Sequence, residues 1–140
     1  MSAELQFLDT NILVYAHDTT AGDKRLRALE LMSELVTTGN GAVSVQVLQE
    51  FFVTITAKVP NRLAAHVAAS VVAGIGRLPL HTPDLADVLA AIEVHERLQL
   101  SFWDAMIVRS AERLGCALLW SEDLFPGERY EGVELRNPFS

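Results

Sequence analysis

Four carboxylates stand in four separate apolar segments of this 140-residue sequence. The segments are "LQFLD" with Asp9, "SVQVLQEFF" with Glu50, "SFWDAMIV" with Asp104 and "LLWSED" with Asp123. Carboxylate oxygens are the ligands that Mg²⁺ prefers, and an ionised carboxylate can also accept a proton in general-base catalysis. If the fold brings the four acids together, the sequence predicts a site where a bound divalent cation activates water.

The sequence offers little for other common site chemistries. Its four histidines are scattered and Cys116 is its one cysteine, so no set of zinc ligands with the usual spacing is present. A glycine-rich phosphate-binding loop is also missing, and Ser121 has no histidine partner for a serine triad. Cys116 lies in the apolar segment "GCALLW" and is predicted to pack in the core.

Strands and helices that alternate along the chain would position the four acids. Apolar runs predict strands at residues 5–8, 42–45, 77–82, 117–120 and 132–135. Helical spacing of apolar residues predicts helices from residue 12, after Asp23 to the turn at 38–41, over 45–59, after Asn61 to Gly74 or Gly76, from Thr82-Pro83, and from Ser101 to Gly115. Asp23, Asn61 and Ser101 are the predicted N-caps. The alternation predicts a single α/β domain, residues 1–140, with helices on both faces of a parallel sheet.

The predicted topology places all four acids at one edge of the sheet, where ligands bind in such folds. Asp9 and Asp123 follow the carboxyl ends of two strands. Asp104 lies in the first turn of the helix that leads into the strand before Asp123. Glu50 lies about 7 Å along its helix from Val45, at 1.5 Å per residue. It is predicted to point away from the apolar stripe of Val45, Leu48, Phe52 and Ile55.

Each acid also has a simpler interpretation. Asp9 is a possible helix cap, and Asp104 stands three residues after Ser101 in a capping-box pattern. Glu50 could belong to a solvated helix face, and Asp123 to a turn. Their joint placement favours the metal site, because carboxylates crowded at one edge repel one another unless a cation lies among them.

The overall charge and the hydrophobic pattern limit the class of protein. A net charge of −7 argues against non-specific coating of nucleic acid, although it is compatible with cations held in an acidic pocket. The longest apolar stretch, around 67–75, is too short to span a bilayer. The N-terminal "MSAELQFLD" lacks the basic region of a secretory signal. We therefore expect a cytoplasmic protein without a membrane partner.

The blocks "LDTNILVYA", "SVQVLQEFF", "SFWDAMIV" and "LLWSEDL", in this order, resemble those of a PIN domain. They are most similar to the VapC-type toxins of bacterial and archaeal type II toxin–antitoxin pairs. The resemblance covers nearly the whole chain, including the closing "YEGVELRNPF". It implies a three-layer α/β/α domain with a central parallel sheet. It also implies an endoribonuclease that uses Mg²⁺, with Mn²⁺ as an alternative, and leaves 5′-phosphate and 3′-hydroxyl ends.

The resemblance also assigns roles to individual residues. It implies that the catalytic residues and metal ligands are Asp9, Glu50, Asp104 and Asp123, supported by Thr10 and Asn11. Asp9 and Asp104 would anchor the main ion. Glu50 and Asp123 would bind through waters or hold a second ion, and the number of ions stays open. Glu122 adjoins Asp123, and the sequence leaves open which of the two faces the metal.

The partners implied by the resemblance are an RNA substrate, a cognate antitoxin and a second copy of the chain. Candidate residues for binding RNA phosphates are Lys24, Arg25, Arg27, Arg109 and Arg113, although the simpler interpretation as solvated helix faces is slightly favoured for each. The apolar helices at 45–59 and 61–75 are candidate dimer surfaces. The main alternative function is a catalytically silent PIN-like module that binds RNA or protein. A phosphohydrolase that forms an aspartyl-phosphate is disfavoured, because Asn11 stands where such enzymes carry a second Asp.

Overall fold

The computed structural model describes residues 4–124 and 127–140. The strands are β1 (Gln6–Leu8), β2 (Gly41–Ser44), β3 (Leu80–His81), β4 (Leu118–Trp120), β5 (Arg129–Tyr130) and β6 (Val133–Arg136). The helices are α1 (Thr10–His17), α2 (Asp23–Thr38), α3 (Val45–Ala57), α4 (Ala65–Ile75), α5 (Leu85–Leu98) and α6 (Phe102–Arg113). The predicted alternation of strands and helices is confirmed up to β4.

The strands form one sheet in the order β3-β2-β1-β4-β6-β5. β1 pairs in parallel with both β2 and β4, while β3 and β6 extend the sheet in parallel on either side. β5 departs from the predicted parallel sheet, because it pairs antiparallel with β6. Glu131 (φ 52°) and Gly132 (φ 82°) join the two strands, and two positive φ angles in succession are typical of a tight hairpin turn.

The helices fall into two groups that cover the sheet. Helix α1 packs against both α2 and α3, α4 packs against α3, and α2 and α3 also contact β2. Helix α5 packs on α6, and α6 contacts β2, β4 and β6. In the central strands, Phe7, Leu8 and Leu119 are fully buried, which explains why their sequences are continuous apolar runs. The predicted class of α/β fold, with helices over a central parallel sheet, is confirmed.

Three predicted helix starts are wrong by one to three residues. Gly22, not Asp23, is the N-cap of α2, and Asp23 is the first helical residue. Ala64, not Asn61, precedes α4, because the Asn61 side chain instead donates a hydrogen bond to Thr19 Oγ1 (2.8 Å). The Thr82-Pro83 start is also early, since α5 begins after Asp84. Ser101 is the N-cap of α6, as predicted.

The predicted apolar stripe of α3 is only partly the face that the helix buries. Ile55 is buried as expected, and so is Leu48, but Phe52 is 37% exposed. The fully buried aromatic ring of this helix belongs to Phe51, one position earlier. A helix in contact with both a sheet and a neighbouring helix buries a wider arc than a single stripe indicates.

A buried ionic network joins β3, α5 and α6. Asp87 is 1% exposed, and its Oδ1 accepts hydrogen bonds from Arg109 Nε (2.9 Å) and Arg113 (3.1 Å). Its Oδ2 accepts from the Asp84 N–H and lies 2.9 Å from His81 Nε2. The Asp84 side chain accepts from the Asp87 N–H in return, so that the pair also forms a capping box at the start of α5.

The pKa of Asp87 lies well below its ordinary value of 3.8. Burial acts against ionisation, but the hydrogen bonds from Asp84 and Arg109 and the charge of His81 outweigh it. Arg109 and Arg113, two of the candidate RNA contacts, are therefore engaged with a buried carboxylate. Cys116 is buried, as predicted. No helix in the described part of the chain is long and apolar enough to cross a bilayer.

Candidate functional site

The site begins where β1 and β4 end side by side. Leu8 is in register with Trp120, and the Asp9 N–H donates to the Trp120 carbonyl (3.0 Å). One residue further along each strand, the Ser121 hydroxyl donates to Asp9 Oδ2 (2.7 Å). Because the strand order reverses between β1 and β4, this edge is the switch point at which open parallel sheets bind ligands.

Asp9 is buried, and both of its carboxylate oxygens accept hydrogen bonds. It is the N-cap of α1, and its Oδ1 accepts from the Thr10 N–H (2.7 Å), so the simpler interpretation as a cap is also correct. Burial raises the pKa of Asp9 from 3.8 to about 6, and the charges of Asp123 and Glu50 act in the same direction. The hydrogen bonds from Ser121 and Thr10 oppose this rise. Two other predicted site acids therefore lie close enough to Asp9 to disfavour its ionised form.

The two residues after Asp9 hold two of the other acids. The Thr10 hydroxyl donates to Glu50 Oε1 (2.8 Å), which orients Glu50 in the second turn of α3. The Asn11 amide donates to Asp123 Oδ2 (3.0 Å) in the loop after β4. Thr10 and Asn11 thus bind two carboxylates that are distant from each other in sequence.

A cavity of about 530 Å³ opens at this edge of the sheet. Three of the four predicted acids line it, namely Asp9, Glu50 and Asp123. The remaining lining residues are Thr10, Asn11, Val14, Tyr15, Gln49, Val53, Thr54 and Lys58. The cavity therefore combines three carboxylates with neutral polar and apolar walls and one lysine.

Asp104, the fourth acid, lies beside this cavity without lining it. Its N–H donates to the hydroxyl of the N-cap Ser101 (3.1 Å), which places it in the first turn of α6. Burial raises the pKa of Asp104, and the charge of Asp123 adds to the rise. The four acids therefore form a chain of electrostatic neighbours in which Asp9 and Asp123 occupy the middle.

Glu122 and Asp123 point to different partners. Tyr15 donates its hydroxyl to Glu122 Oε1 (2.7 Å), and Lys24 Nζ lies 3.0 Å from Glu122 Oε2. The Lys24 ammonium also stands 5.0 Å from the centre of the Tyr15 ring, within cation–π distance. Asp123 lines the cavity instead. Of the two neighbours that the sequence left open, Asp123 is thus the one that faces the other acids.

The side-chain oxygen atoms at this edge are of the chemical type that binds a hard divalent cation. All four carboxylates offer oxygen atoms as ligands, and so does the side-chain amide of Asn11. Asn11 Oδ1 is buried without a hydrogen-bond partner among the described residues. A cation would also relieve the like charges that raise the pKa of Asp9. Within residues 4–124 and 127–140, however, no three His, Cys, Asp or Glu side chains are close enough to hold an ion as they stand.

Sequence reasoning missed two residues of the site. Ser121 binds Asp9, and the available signal was its position directly after β4, in line with the residue after β1. Lys58 lines the cavity from the end of α3. The available signal was its spacing of eight residues from Glu50 within the predicted helix at 45–59, because positions i and i+8 lie on the same helix face.

Three solved structures share the fold of this chain. A chain of DNA-bound VapBC from Salmonella typhimurium is 20% identical, with a TM-score of 0.69 over 97% of this chain and 99% of that one. VapBC2 from Rickettsia felis, bound to a promoter DNA fragment, is 20% identical, with a TM-score of 0.63 over 95% and 98%. VapC20 of Mycobacterium tuberculosis, a toxin that cleaves the sarcin–ricin loop, is 18% identical, with a TM-score of 0.61 over 88% and 91%. At these identities the likeness establishes a shared fold.

Sequence comparison gives the family itself. No curated protein sequence matches this chain significantly. The family model described as "PIN domain" matches residues 7–125, which include all four acids of the site. The match spans most of the chain, and the strand order, the four acids and the solved structures agree with it. The chain therefore belongs to the PIN domain family.

Proposed function

We propose that this chain is a metal-dependent endoribonuclease and the toxin of a toxin–antitoxin pair. The observation that carries the proposal is the burial of Asp9 at the switch point of the sheet, with Glu50 and Asp123 in the same cavity and Asp104 beside it. Burial and like charge raise the pKa of two of these carboxylates, Asp9 and Asp104, and such a cluster is typical of a site that binds cations. The fold shared with VapC20, a toxin that cleaves RNA, supports the same function.

In this mechanism, some residues of the site would hold the metal ion and others orient its ligands. Asp9, Glu50, Asp104 and Asp123 would hold Mg²⁺ or Mn²⁺. Bound there, the ion would supply a water of lowered pKa and positive charge for the scissile phosphate. Ser121 and the Thr10 N–H fix both oxygens of Asp9, so that this carboxylate keeps one orientation. Thr10 and Asn11 orient Glu50 and Asp123 in the same way. An ionised carboxylate of the four would accept the proton of the attacking water.

The two neighbours Glu122 and Asp123 provide a test of this assignment. We expect Asp123→Asn to lower RNA cleavage by about a hundredfold, because it removes a metal ligand, and Glu122→Gln to lower it by about threefold at most. The measurement is cleavage of a labelled single-stranded RNA with Mg²⁺, and with EDTA as the metal-free control. If both variants lost RNA cleavage equally, the assignment of Asp123 and not Glu122 as a metal ligand would be contradicted.

The same assay separates the nuclease from the silent binding module. The nuclease proposal requires that the wild-type chain cleaves RNA in the presence of Mg²⁺ or Mn²⁺ and that cleavage stops when EDTA is added. A wild-type chain that binds RNA but cleaves none of a panel of transfer, ribosomal and messenger RNAs would favour the binding module.

The proposed partners are a cognate antitoxin and a second copy of the chain. The VapBC structures with this fold are complexes, and the net charge of −7 suits an antitoxin with a cationic segment. The dimer surface proposed on α3 and α4 carries the exposed apolar side chains Phe52, Val53 and Val67. Light scattering on the purified chain tests the dimer, and a monomer at micromolar concentration would contradict it.

A further inference from the structure

The two lysines of the chain occupy contrasting positions at the site. Lys24 is bound to Glu122, whereas Lys58 lines the cavity that holds Asp9, Glu50 and Asp123. We propose that Lys58 binds a phosphate of the RNA that neighbours the cleaved one, and so positions the substrate over the acids. The inference rests on the proposed nuclease function and adds a substrate-positioning residue to it.

The position of Lys58 suits this role. It is the C-cap of α3, where its N–H donates to the Thr54 carbonyl (2.8 Å), so its backbone is anchored while its side chain is exposed. At 1.5 Å per residue it lies about 12 Å along the helix from Glu50. If the scissile phosphate of an RNA strand lies among the carboxylates, a neighbouring part of the RNA backbone would therefore lie next to Lys58.

Of the five basic residues proposed as RNA contacts, four already have partners, and the fifth, Arg25, does not line the cavity. Lys24 pairs with Glu122, and Arg27 binds Glu30 and the Pro138 carbonyl. Arg109 and Arg113 bind the buried Asp87. Among the described residues no acid forms an ion pair with Lys58, although three carboxylates line the same cavity. The charge of Lys58 is thus available to a ligand.

The positive charge of Lys58 would offset the repulsion between the RNA and the carboxylates of the site. A phosphodiester that approaches several carboxylates is repelled by them, even where bound cations offset part of their charge. A lysine at the rim supplies local attraction for the backbone next to the scissile bond. Its ammonium is a point charge on a flexible stem, which suits contact with phosphates whatever the base sequence. Lys58 should therefore affect RNA affinity and its salt dependence, with little effect on the bond-breaking step.

A purely structural role for Lys58 gives a different expectation. A cation at the end of a helix also stabilises that end through the helix dipole. In that case Lys58→Ala would lower the melting temperature and would leave the salt dependence of cleavage unchanged. The two roles are therefore distinguished by the response of the reaction to salt.

The experiment measures cleavage of a 12-nucleotide single-stranded RNA, labelled with a fluorophore and a quencher, in constant Mg²⁺ and 50–300 mM KCl. For Lys58→Ala we expect KM to rise about fivefold and kcat to stay within twofold. The slope of log kcat/KM against log[KCl] should become shallower by about 0.7, the value for one lost phosphate contact on a single strand. Lys58→Arg should restore the slope. Arg62→Ala is the matched control, because Arg62 is exposed four residues further on and does not line the cavity.

Each other outcome overturns a distinct statement. Wild-type KM and salt slope in Lys58→Ala would refute the phosphate contact and leave the nuclease proposal standing. A fall in kcat with unchanged KM would show that Lys58 acts on the reacting atoms and would refute the positioning role. Absence of cleavage by the wild-type chain would remove the nuclease proposal itself, and the inference about Lys58 with it.

Discussion

Replacement of Asp9 by Asn is expected to lower RNA cleavage by about a thousandfold. Asp9 is the acid most completely enclosed by the site, since both its oxygens accept hydrogen bonds and two other carboxylates influence it. An asparagine has the same shape and can accept from the Thr10 N–H while it donates to Ser121. The variant therefore removes one negative charge with little change in geometry, and the loss of cleavage should reside in kcat.

The stability of this variant provides the control. Because Asp9 is buried near Asp123 and Glu50, removing its charge relieves repulsion in the metal-free protein. We expect the Asp9→Asn variant to melt roughly 5 °C above the wild type in EDTA. Added Mg²⁺ should raise the melting temperature of the wild type and have less effect on the variant. A variant that cleaves RNA at the wild-type rate would refute the role of Asp9.

Replacement of Asp87 by Ala is expected to destabilise the fold by about 3–5 kcal/mol, the effect of breaking a buried ion pair by removing one partner. The carboxylate is buried and binds Arg109, Arg113, His81 and the Asp84 N–H, so its loss leaves several donors without an acceptor. For a chain of this length the melting temperature should fall by about 10 °C or more. Thermal or urea unfolding followed by circular dichroism measures the change.

Glu93 on the same helix gives the matched control. Its ion pair with Arg97 is exposed on the surface, and Glu93→Gln should therefore leave the melting temperature almost unchanged. Similar losses in Asp87→Ala and Glu93→Gln would show that burial of the network contributes nothing to stability.

The network should also affect the response of the fold to acid. A carboxyl group whose pKa is lowered by folding stabilises the protein above its unfolded pKa. For Asp87 that contribution is complete above pH 3.8 and is lost as the pH falls from there toward the lower pKa of the folded state. The wild type should therefore lose more stability below about pH 4 than Asp87→Ala does.

The sequence predicted the parts of the molecule that depend on periodicity and topology. The strands that carry Asp9 and Asp123 are continuous apolar runs, and their carboxyl ends meet because the strands are parallel neighbours. The place of Glu50 in the second turn of α3 followed from the start of that helix directly after β2. The electrostatic closeness of these acids was expected on the same grounds.

Side-chain partners depend on tertiary contacts that no local pattern carries. Glu122 and Asp123 are adjacent acids, and only the positions of Lys24 and Tyr15 in space separate their roles. The arginines on α6 looked like a solvated face, because their buried partner Asp87 lies 22 residues before Arg109. The start of α4 was misplaced because the Asn61 side chain binds Thr19, far away in sequence.

The central claim is that Asp9, Glu50, Asp104 and Asp123 together hold a divalent cation. Its most direct test is anomalous X-ray diffraction from crystals of the wild-type chain and of Asp9→Asn, each soaked in MnCl₂. We predict a manganese peak among these four carboxylates in the wild type, and a much weaker peak or none in the variant. A wild-type crystal in which manganese binds only elsewhere on the protein would contradict the claim.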